Sequence, residues 1–354
     1  MKLPLERVII LTEGNTSPLT AKTATGVLRY RPDNVVALLD STCAGKTCQE
    51  VLDFGGDTPI VASLDDVDAS TLMIGISPSG GKLPESWRET IRSAIRKGMS
   101  IVSGLHYFLS EDEEFKELAK AHKTEIHDVR RPPPNVSGAK DLVRLSPCHR
   151  GHTVGHDCSV GKMVASLEIN RGISKRGYRT EFVATGQTGI MISGWGVPAD
   201  RVISDFVAGA VEEQILAHDD KEFLLVEGQG SLVHPLYSAV TLGLLHGCAP
   251  QTMVLVFEPI RKIVKSSQLP MPPLDKVITA FEHLANILCP SKVVALAANT
   301  SRMSTDDAER AMREAEEKYG LPTADVFRNG PDRIVDAILK RHEELKSSSA
   351  SSAS

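Results

Sequence analysis

Between Thr153 and Val164 the chain reads T-V-G-H-D-C-S-V-G-K-M-V. Within it, Gly155-His156-Asp157-Cys158-Ser159-Val160-Gly161-Lys162 has the form of a phosphate-cradling loop that opens a helix. Small residues let successive backbone N–H groups converge on phosphate oxygens, and a lysine at the helix start adds a mobile cation to the helix dipole. Gly161-Lys162 supplies the end of the usual pattern. The front is irregular: glycine usually stands where His156 does, and Gly155 comes one place early. Met163 follows, where serine or threonine would normally bind magnesium.

Other residues with chemistry to offer lie on both sides of this loop. Phe223-Leu224-Leu225-Val226 reads as a core strand ending in Glu227-Gly228-Gln229-Gly230-Ser231. An acid at a strand end downstream of a phosphate loop is where a metal-organising carboxylate belongs, so Glu227 is the best-placed acid in the chain. Its plainer reading is a strand-terminal surface glutamate. Thr185-Gly186-Gln187-Thr188-Gly189 is a second polar, glycine-rich strand end. Cys148, His149, His152, His156 and Cys158 are dense enough to raise zinc, which needs four converging ligands. Residues facing both sides of a strand do not converge, and no metal is expected from them. They leave an oddly polar strand ahead of the loop.

Upstream, Ala44-Gly45-Lys46-Thr47 looks like the tail of a second phosphate loop, but its front position is Asp40, whose charge repels phosphate. A turn, or a contact of Lys46 with an anionic ligand, is expected instead. The loop 77–82 follows a strand, and ligands in open α/β sheets collect at such ends. His106 reads equally as a binding or a structural histidine. Arg130 and Arg131 suit either a bidentate grip on a carboxylate or phosphate, or a solvated linker.

Alternating strands and helices must position these residues. Residues 7–11, 35–39, 72–76 and 100–103 read as short apolar strands, with helices over 20–29, 87–97 and 111–122. Strand, helix and a strand closed by Asp40 begin a Rossmann-type half. The first turn holds only Gly14 rather than G-x-G-x-x-G, so nicotinamide is not expected and Asp40 reads as a solvated strand end. Pro132, Pro133 and Pro134 cannot continue a helix or a central strand and mark a boundary. Beyond them, strands fall at 182–184, 223–226, 252–257 and 293–298. Helices follow Lys162 and span 202–216 (carrying Asp205) and 306–319. The predicted organisation is α/β throughout: a Rossmann-like three-layer domain over 1–129, a proline-rich linker over 130–140, a P-loop NTPase-like domain over 141–341, and a disordered serine-rich tail over 342–354.

Length and composition bound the partners. The 354 residues suffice for two full cores, and a net charge of −5 offers nucleic acid no basic field. Six scattered cysteines without a C-x-x-C pair argue for reduced thiols rather than a disulfide framework. The start, M-K-L-P-L-E-R-V-I-I-L, puts proline and charge where a signal peptide needs an apolar run, and no stretch approaches a membrane span. A cytoplasmic protein with no nucleic-acid or membrane partner is expected.

Several long motifs occur in order: E-G-N-T-S-P-L-T-A-K-T-A from Glu13, L-D-S-T-C-A-G-K-T from Leu39, F-G-G-D-T-P-I-V-A-S-L from Phe54, S-G-L-H from Ser103 and D-V-R-R-P-P from Asp128. They continue with G-H-D-C-S-V-G-K-M, A-T-G-Q-T-G-I-M-I-S-G-W-G from Ala184 and V-E-G-Q-G-S-L-V-H-P from Val226. Together they resemble the DgcN family of D-glutamate N-acetyltransferases, long carried as a domain of unknown function, from Val8 to Leu339. The resemblance implies a Rossmann-like domain joined to a P-loop domain, acetyl-CoA as co-substrate and D-glutamate as acceptor; a homo-oligomer is expected. The P-loop domain is also similar to dethiobiotin synthetase, an ATP-dependent ligase with an early glycine, an aspartate two residues on and Val-Gly-Lys. That family's acidic strand end resembles Glu227-Gly228, and its base-reading asparagine corresponds to Asn299. This chain departs at His156, which replaces a threonine expected in both families. It departs again at Met163, which replaces the ligase's threonine as the acetyltransferases do and argues against tightly held magnesium.

Acetyl transfer to an amine needs a grip on the thioester donor, a base and an oxyanion partner. Backbone N–H groups suit a static anion, so the donor's diphosphate is expected on Gly155 to Met163, held without cleavage. Glu227 or His234, both near the Gly228–Ser231 turn, would take the ammonium proton. N–H groups of Gly228, Gln229, Gly230 and Ser231, or of Gly186, Gln187 and Thr188, would meet charge on the thioester oxygen. Lys46, His106, Arg130 and Arg131 would bind the acceptor, the cations meeting its carboxylates. The alternative is a ligase or kinase using Mg-ATP, with the metal on Asp157, Asp205 and Glu227.

Overall fold

The computed structural model describes residues 3–18, 20–76 and 81–352, so most of the strand-end loop at Ser77–Lys82 lies outside the described residues. The chain divides into two compact units, one of residues 1–132 with Gly186–Arg201 and one of the remainder. The N-terminal unit holds a six-stranded, all-parallel sheet of β1 (Val8–Leu11), β2 (Val35–Leu39), β3 (Ile60–Val61), β4 (Thr71–Ile74), β5 (Ser100–Ser103) and β6 (Ile126–Asp128). Their order is β3-β2-β1-β4-β5-β6. Short apolar runs form such strands because parallel sheets are covered on both faces. The helices α1 (Lys22–Tyr30), α2 (Cys48–Leu52), α3 (Arg88–Arg96) and α4 (Glu113–His122) belong to this unit.

Asp40 is not the solvated strand end expected of it. It is fully buried at the end of β2 and accepts from the Thr42 N–H at 3.0 Å and the Thr16 hydroxyl at 2.6 Å, so it ties the turn after β2 to the turn after β1. The burial penalty is outweighed by these hydrogen bonds, which hold its carboxyl below the ordinary range.

The C-terminal unit holds β7 (His149–Gly155), α5 (Lys162–Lys175) and β8 (Thr180–Val183), after which α6 (Gln187–Ser193) leaves to join the N-terminal unit. It resumes with α7 (Val207–Leu216), β9 (Phe223–Val226), α8 (Ser238–Cys248), β10 (Thr252–Phe257), α9 (Leu274–Ala285), β11 (Lys292–Ala298), α10 (Thr305–Tyr319), β12 (Thr323–Ala324) and α11 (Asp332–Ser352). This sheet is also all parallel, ordered β12-β11-β10-β7-β9-β8. Period-two alternation splits β10 between two cores. Val254 and Val256 face Ile169 of α5 and Ile338 of α11, while Met253, Leu255 and Phe257 face Phe281 of α9 and Met312 of α10.

The polar strand ahead of the loop is β7, buried along its whole length at the centre of the sheet. Each polar side chain has its own acceptor or donor. Arg150 donates to the carbonyls of Cys148, Cys248 and Ala249 at 2.9 to 3.1 Å. His152 Nδ1 lies 3.0 Å from Val226 O, and His149 lies 3.1 Å from both the Thr252 hydroxyl and His342. Satisfied in this way, buried polar groups cost little.

Two segments are more ordered than the sequence suggests. The proline-rich linker over 130–140 is anchored near both ends: Arg131 pairs with Glu111, and the N–H groups of Lys140 and, just beyond it, Val143 donate to the buried carboxylate of Glu212, at 2.6 and 3.1 Å. The serine-rich segment expected to be disordered continues α11 as far as Ser352.

Candidate active site

The phosphate loop leaves β7 at Gly155 and enters α5 at Lys162. Gly161 precedes the helix at φ 107°, a left-handed backbone that favours glycine. The early glycine has a steric cause as well: a Cβ on Gly155 would stand 2.6 Å from Lys162 Nζ and 2.7 Å from Asp157 O. Lys162 is buried, and its ammonium donates to the carbonyl of Asp157 at 2.9 Å. Burial pulls its pKa down to about 8, against the opposing pull of Cys158, Asp157 and Glu227. First-turn N–H groups have no acceptor within a helix, so a buried ammonium at the start of α5 completes an anion cradle.

The irregular front of the loop is braced from the segment after β10. Asp157 is fully buried, and its carboxylate accepts from Arg261 at 2.8 Å and from the Lys265 N–H at 2.7 Å. Burial raises its pKa, but these partners and the Cys158 N–H outweigh it and hold the carboxyl low. Arg261 also donates to Cys158 O at 2.7 Å and pairs with buried Glu258. Lys265 Nζ donates to the Ser159 hydroxyl at 2.8 Å, and His156 Nε2 bonds Pro272 O at 2.6 Å. Burial keeps His156 neutral and pushes the Cys158 thiol up, so neither carries charge at neutral pH.

Across the loop stands the end of β9. Glu227 is buried, not a surface acid, and accepts the Thr185 N–H at 2.9 Å. Gly228 donates to the Thr153 hydroxyl at 3.2 Å, and a Cβ there would lie 1.8 Å from Thr153 O. Gln229 donates to the Thr185 hydroxyl at 3.3 Å, Gly230 turns at φ 64°, and Ser231 bonds Gly155 O at 2.8 Å. His234 is buried with both ring nitrogens engaged, Nε2 on Lys265 O at 2.8 Å and Nδ1 accepting the Leu236 N–H at 3.2 Å. Asn299, at the end of β11, donates to Val160 O at 3.0 Å. Thus the loop, Glu227, the 228–231 turn, His234 and Asn299 converge. Met163 lies in the first turn of α5.

The remaining expected residues belong to the N-terminal unit. Lys46 is exposed just before α2, and His106 is exposed after β5, its pKa lowered by burial and by Arg130. Arg130 is spent on Gly104 O, at 2.7 Å, and on Asp200. Arg131 is spent on the Ser110 hydroxyl and Glu111. Gly186 caps α6, whose first residues are Gln187 and Thr188, and the Thr188 hydroxyl meets Thr23 at 3.0 Å.

A metal on Asp157, Asp205 and Glu227 does not fit these positions: Asp205 is exposed on a short turn before α7, while Asp157 already faces a guanidinium. Among the described residues Asp157, Cys158 and His234 bring their ligand atoms within 4.8 Å of one another. Their chemistry does not fit a cation either, since the carboxylate serves Arg261, the thiol is held protonated and both imidazole nitrogens are engaged. Sequence reasoning missed Arg261, Glu258 and Lys265. The available signal was E-P-I-R directly after the apolar run of β10.

A phosphate loop on one parallel sheet, accompanied by a second parallel-sheet unit, defines a two-domain P-loop protein with a Rossmann-like partner domain. Residues 138–335 match the P-loop domain of unknown function DUF1611_C, and residues 41–132 match the Rossmann-like domain DUF1611_N. The chain belongs to the DUF1611 family. It is 35% identical over 328 residues to a "D-glutamate N-acetyltransferase" of Tritonibacter scottomollicae, covering 90% of this chain and 94% of that one. It is 36% identical over 269 residues to a protein of the same name from a Pseudoalteromonas species, covering 75% and 80%. The crystal structure of a DUF1611 family protein from Anabaena variabilis superposes with a TM-score of 0.88 at 37% identity, over 95% of this chain and 99% of that one. Among the described residues no helix is long and apolar enough to cross a membrane.

Proposed function

We propose that this protein is a D-glutamate N-acetyltransferase that draws its acetyl group from acetyl-CoA. The observation that carries this reading is the 35% identity to a protein of that name, spread over 90% of the chain and so over both units. The site supports it on chemical grounds. A loop with Met163 after its lysine, and with Asp157 and Glu227 already committed to internal partners, suits a diphosphate that is held rather than cleaved.

In this reading Gly155 to Lys162 grips the donor's diphosphate, and Asn299 lies beside it to meet the base. Glu227 takes the ammonium proton of the acceptor. His234, whose ring nitrogens are both engaged, braces the loop instead. The freed amine nitrogen bonds to the thioester carbonyl carbon, the C–S bond breaks, and the departing thiolate takes up the second proton that the nitrogen sheds as it becomes an amide. Charge on the carbonyl oxygen is met by N–H groups of the 229–231 turn, the Gly228 N–H being held by Thr153. The protein works in this scheme on small molecules alone, in the cytoplasm and as a homo-oligomer.

The test is mass spectrometry of a mixture of protein, acetyl-CoA and D-glutamate, with L-glutamate as control. N-acetylglutamate and free coenzyme A in equal amounts are expected. ATP hydrolysis that depends on an added carboxylic acid, with no acetyl transfer, would replace the reading with that of a ligase.

A further inference from the structure

A cleft of about 800 Å³ opens beside the phosphate loop in the C-terminal unit. Its back wall is His156, from the loop itself, and Arg261, whose guanidinium holds Asp157. The floor is apolar, with Phe257, Leu274 and Ala315. The rim carries both signs of charge, and the cations have charge to spare. Among the described residues Lys262 forms no ion pair, and Lys318 lies over the Tyr319 ring at 5.2 Å. Arg302 is 72% exposed and stands 3.7 Å from Glu258, a carboxylate that Arg261 already satisfies. Glu314 and Asp307 lie on the same rim, the latter paired with Arg310. Arg130 and Arg131, in contrast, are neutralised by Asp200 and Glu111.

We propose that this cleft seats the amino-acid acceptor, with Lys262 and Arg302 gripping the two carboxylates of a dicarboxylic amino acid and its ammonium group turned along the His156 wall toward the phosphate loop and Glu227. The inference rests on the acetyltransferase reading and adds where the acceptor binds. Two rim cations without a full partner of their own suit a ligand that carries two carboxylates. The apolar floor and the volume leave room for the uncharged thioester arm of the donor beside it.

The test is steady-state kinetics on full-length protein with both substrates varied, for Lys262→Met, Arg302→Met and the double variant. Both side chains are exposed, so melting temperatures should match the parent's. Each single change should raise KM for D-glutamate about tenfold, the loss of one charged hydrogen bond, with kcat and KM for acetyl-CoA within roughly twofold. An unchanged D-glutamate KM in an active double variant overturns the assignment. A rise in the acetyl-CoA KM instead also overturns it, since the cleft would then hold the donor's phosphates. Failure of the parent protein to acetylate D-glutamate removes the underlying reading, and that result is visible before any variant is made.

Discussion

Replacing Gly228 by alanine should damage this protein more than any other single methyl group placed near the site. The new carbon would sit 1.8 Å from the carbonyl oxygen of Thr153 and 2.9 Å from Lys162 Cδ, where contacts between such atoms essentially never fall below 3.0 Å. The clash is with backbone, so no rotamer relieves it. β7 and β9 must separate by more than 1 Å at the ends that carry the phosphate loop and Glu227. Overpacking of this kind costs about 1–3 kcal/mol and more where the neighbour cannot yield. We therefore expect a loss of about 3 kcal/mol in urea unfolding, together with loss of acetyl-CoA binding by calorimetry. Gly177→Ala is the control. Its φ of 88° is awkward for alanine, a backbone cost that Gly228 does not carry, but a Cβ there meets nothing within 4 Å, so about 1 kcal/mol and intact binding are expected. If Gly228→Ala unfolds within 1 kcal/mol of the parent (roughly the control's cost) and binds the donor normally, the packing argument is refuted.

Three further outcomes follow from the same geometry. Lys162→Met keeps the buried stem and removes the charge, so acetyl-CoA affinity should fall at least about tenfold in calorimetry without loss of thermal stability. In the parent, donor affinity should weaken as pH rises through about 8, where the buried ammonium loses its proton, and in the variant it should stay flat across that range. Burial holds His152 at about 4 against 6.5 when unfolded, so its contribution is complete above pH 6.5 and is lost as pH falls toward 4. That shift corresponds to about 3 kcal/mol, and a urea midpoint unchanged between neutral pH and pH 4 would count against it. Arg261→Met strands the buried carboxylates of Asp157 and Glu258 and should cost about 3–5 kcal/mol in the same assay.

The apolar strands were legible because four or five consecutive apolar residues leave few other options, and β1, β2, β9 and β10 fall where the pattern puts them. The two-residue edge strands β3 and β12 carry too little pattern to be found that way. β7 defeated pattern reading for a different reason. Its arginine and histidines draw most of their partners from 74 to 193 positions away in the chain, carbonyls for Arg150 and His152 and the Thr252 hydroxyl and His342 for His149, and no local rule registers partners at that distance. At the site, Gly161 and Lys162 were legible from spacing, whereas the brace on Asp157 depends on which strand lies beside β7. Asp40 and Glu227 were both open to being read as surface acids, because the sequence records a charge and not the hydroxyls and N–H groups that meet it.

The excursion of Gly186–Arg201 into the N-terminal unit has a consequence for the order of folding. Arg31 holds the carbonyls of Ile192 and Ser193, Leu3 donates to Gly194 O at 3.2 Å, and Asp200 neutralises Arg130. Residues 1–132 emerging from a ribosome would lack these partners until some seventy further residues had been made. A fragment cut at the triple proline would therefore hold an incomplete unit, with Arg130 unpaired and one flank of α1 bare. A shorter expression product meant to isolate that unit would need Gly186–Arg201 supplied in trans or grafted on.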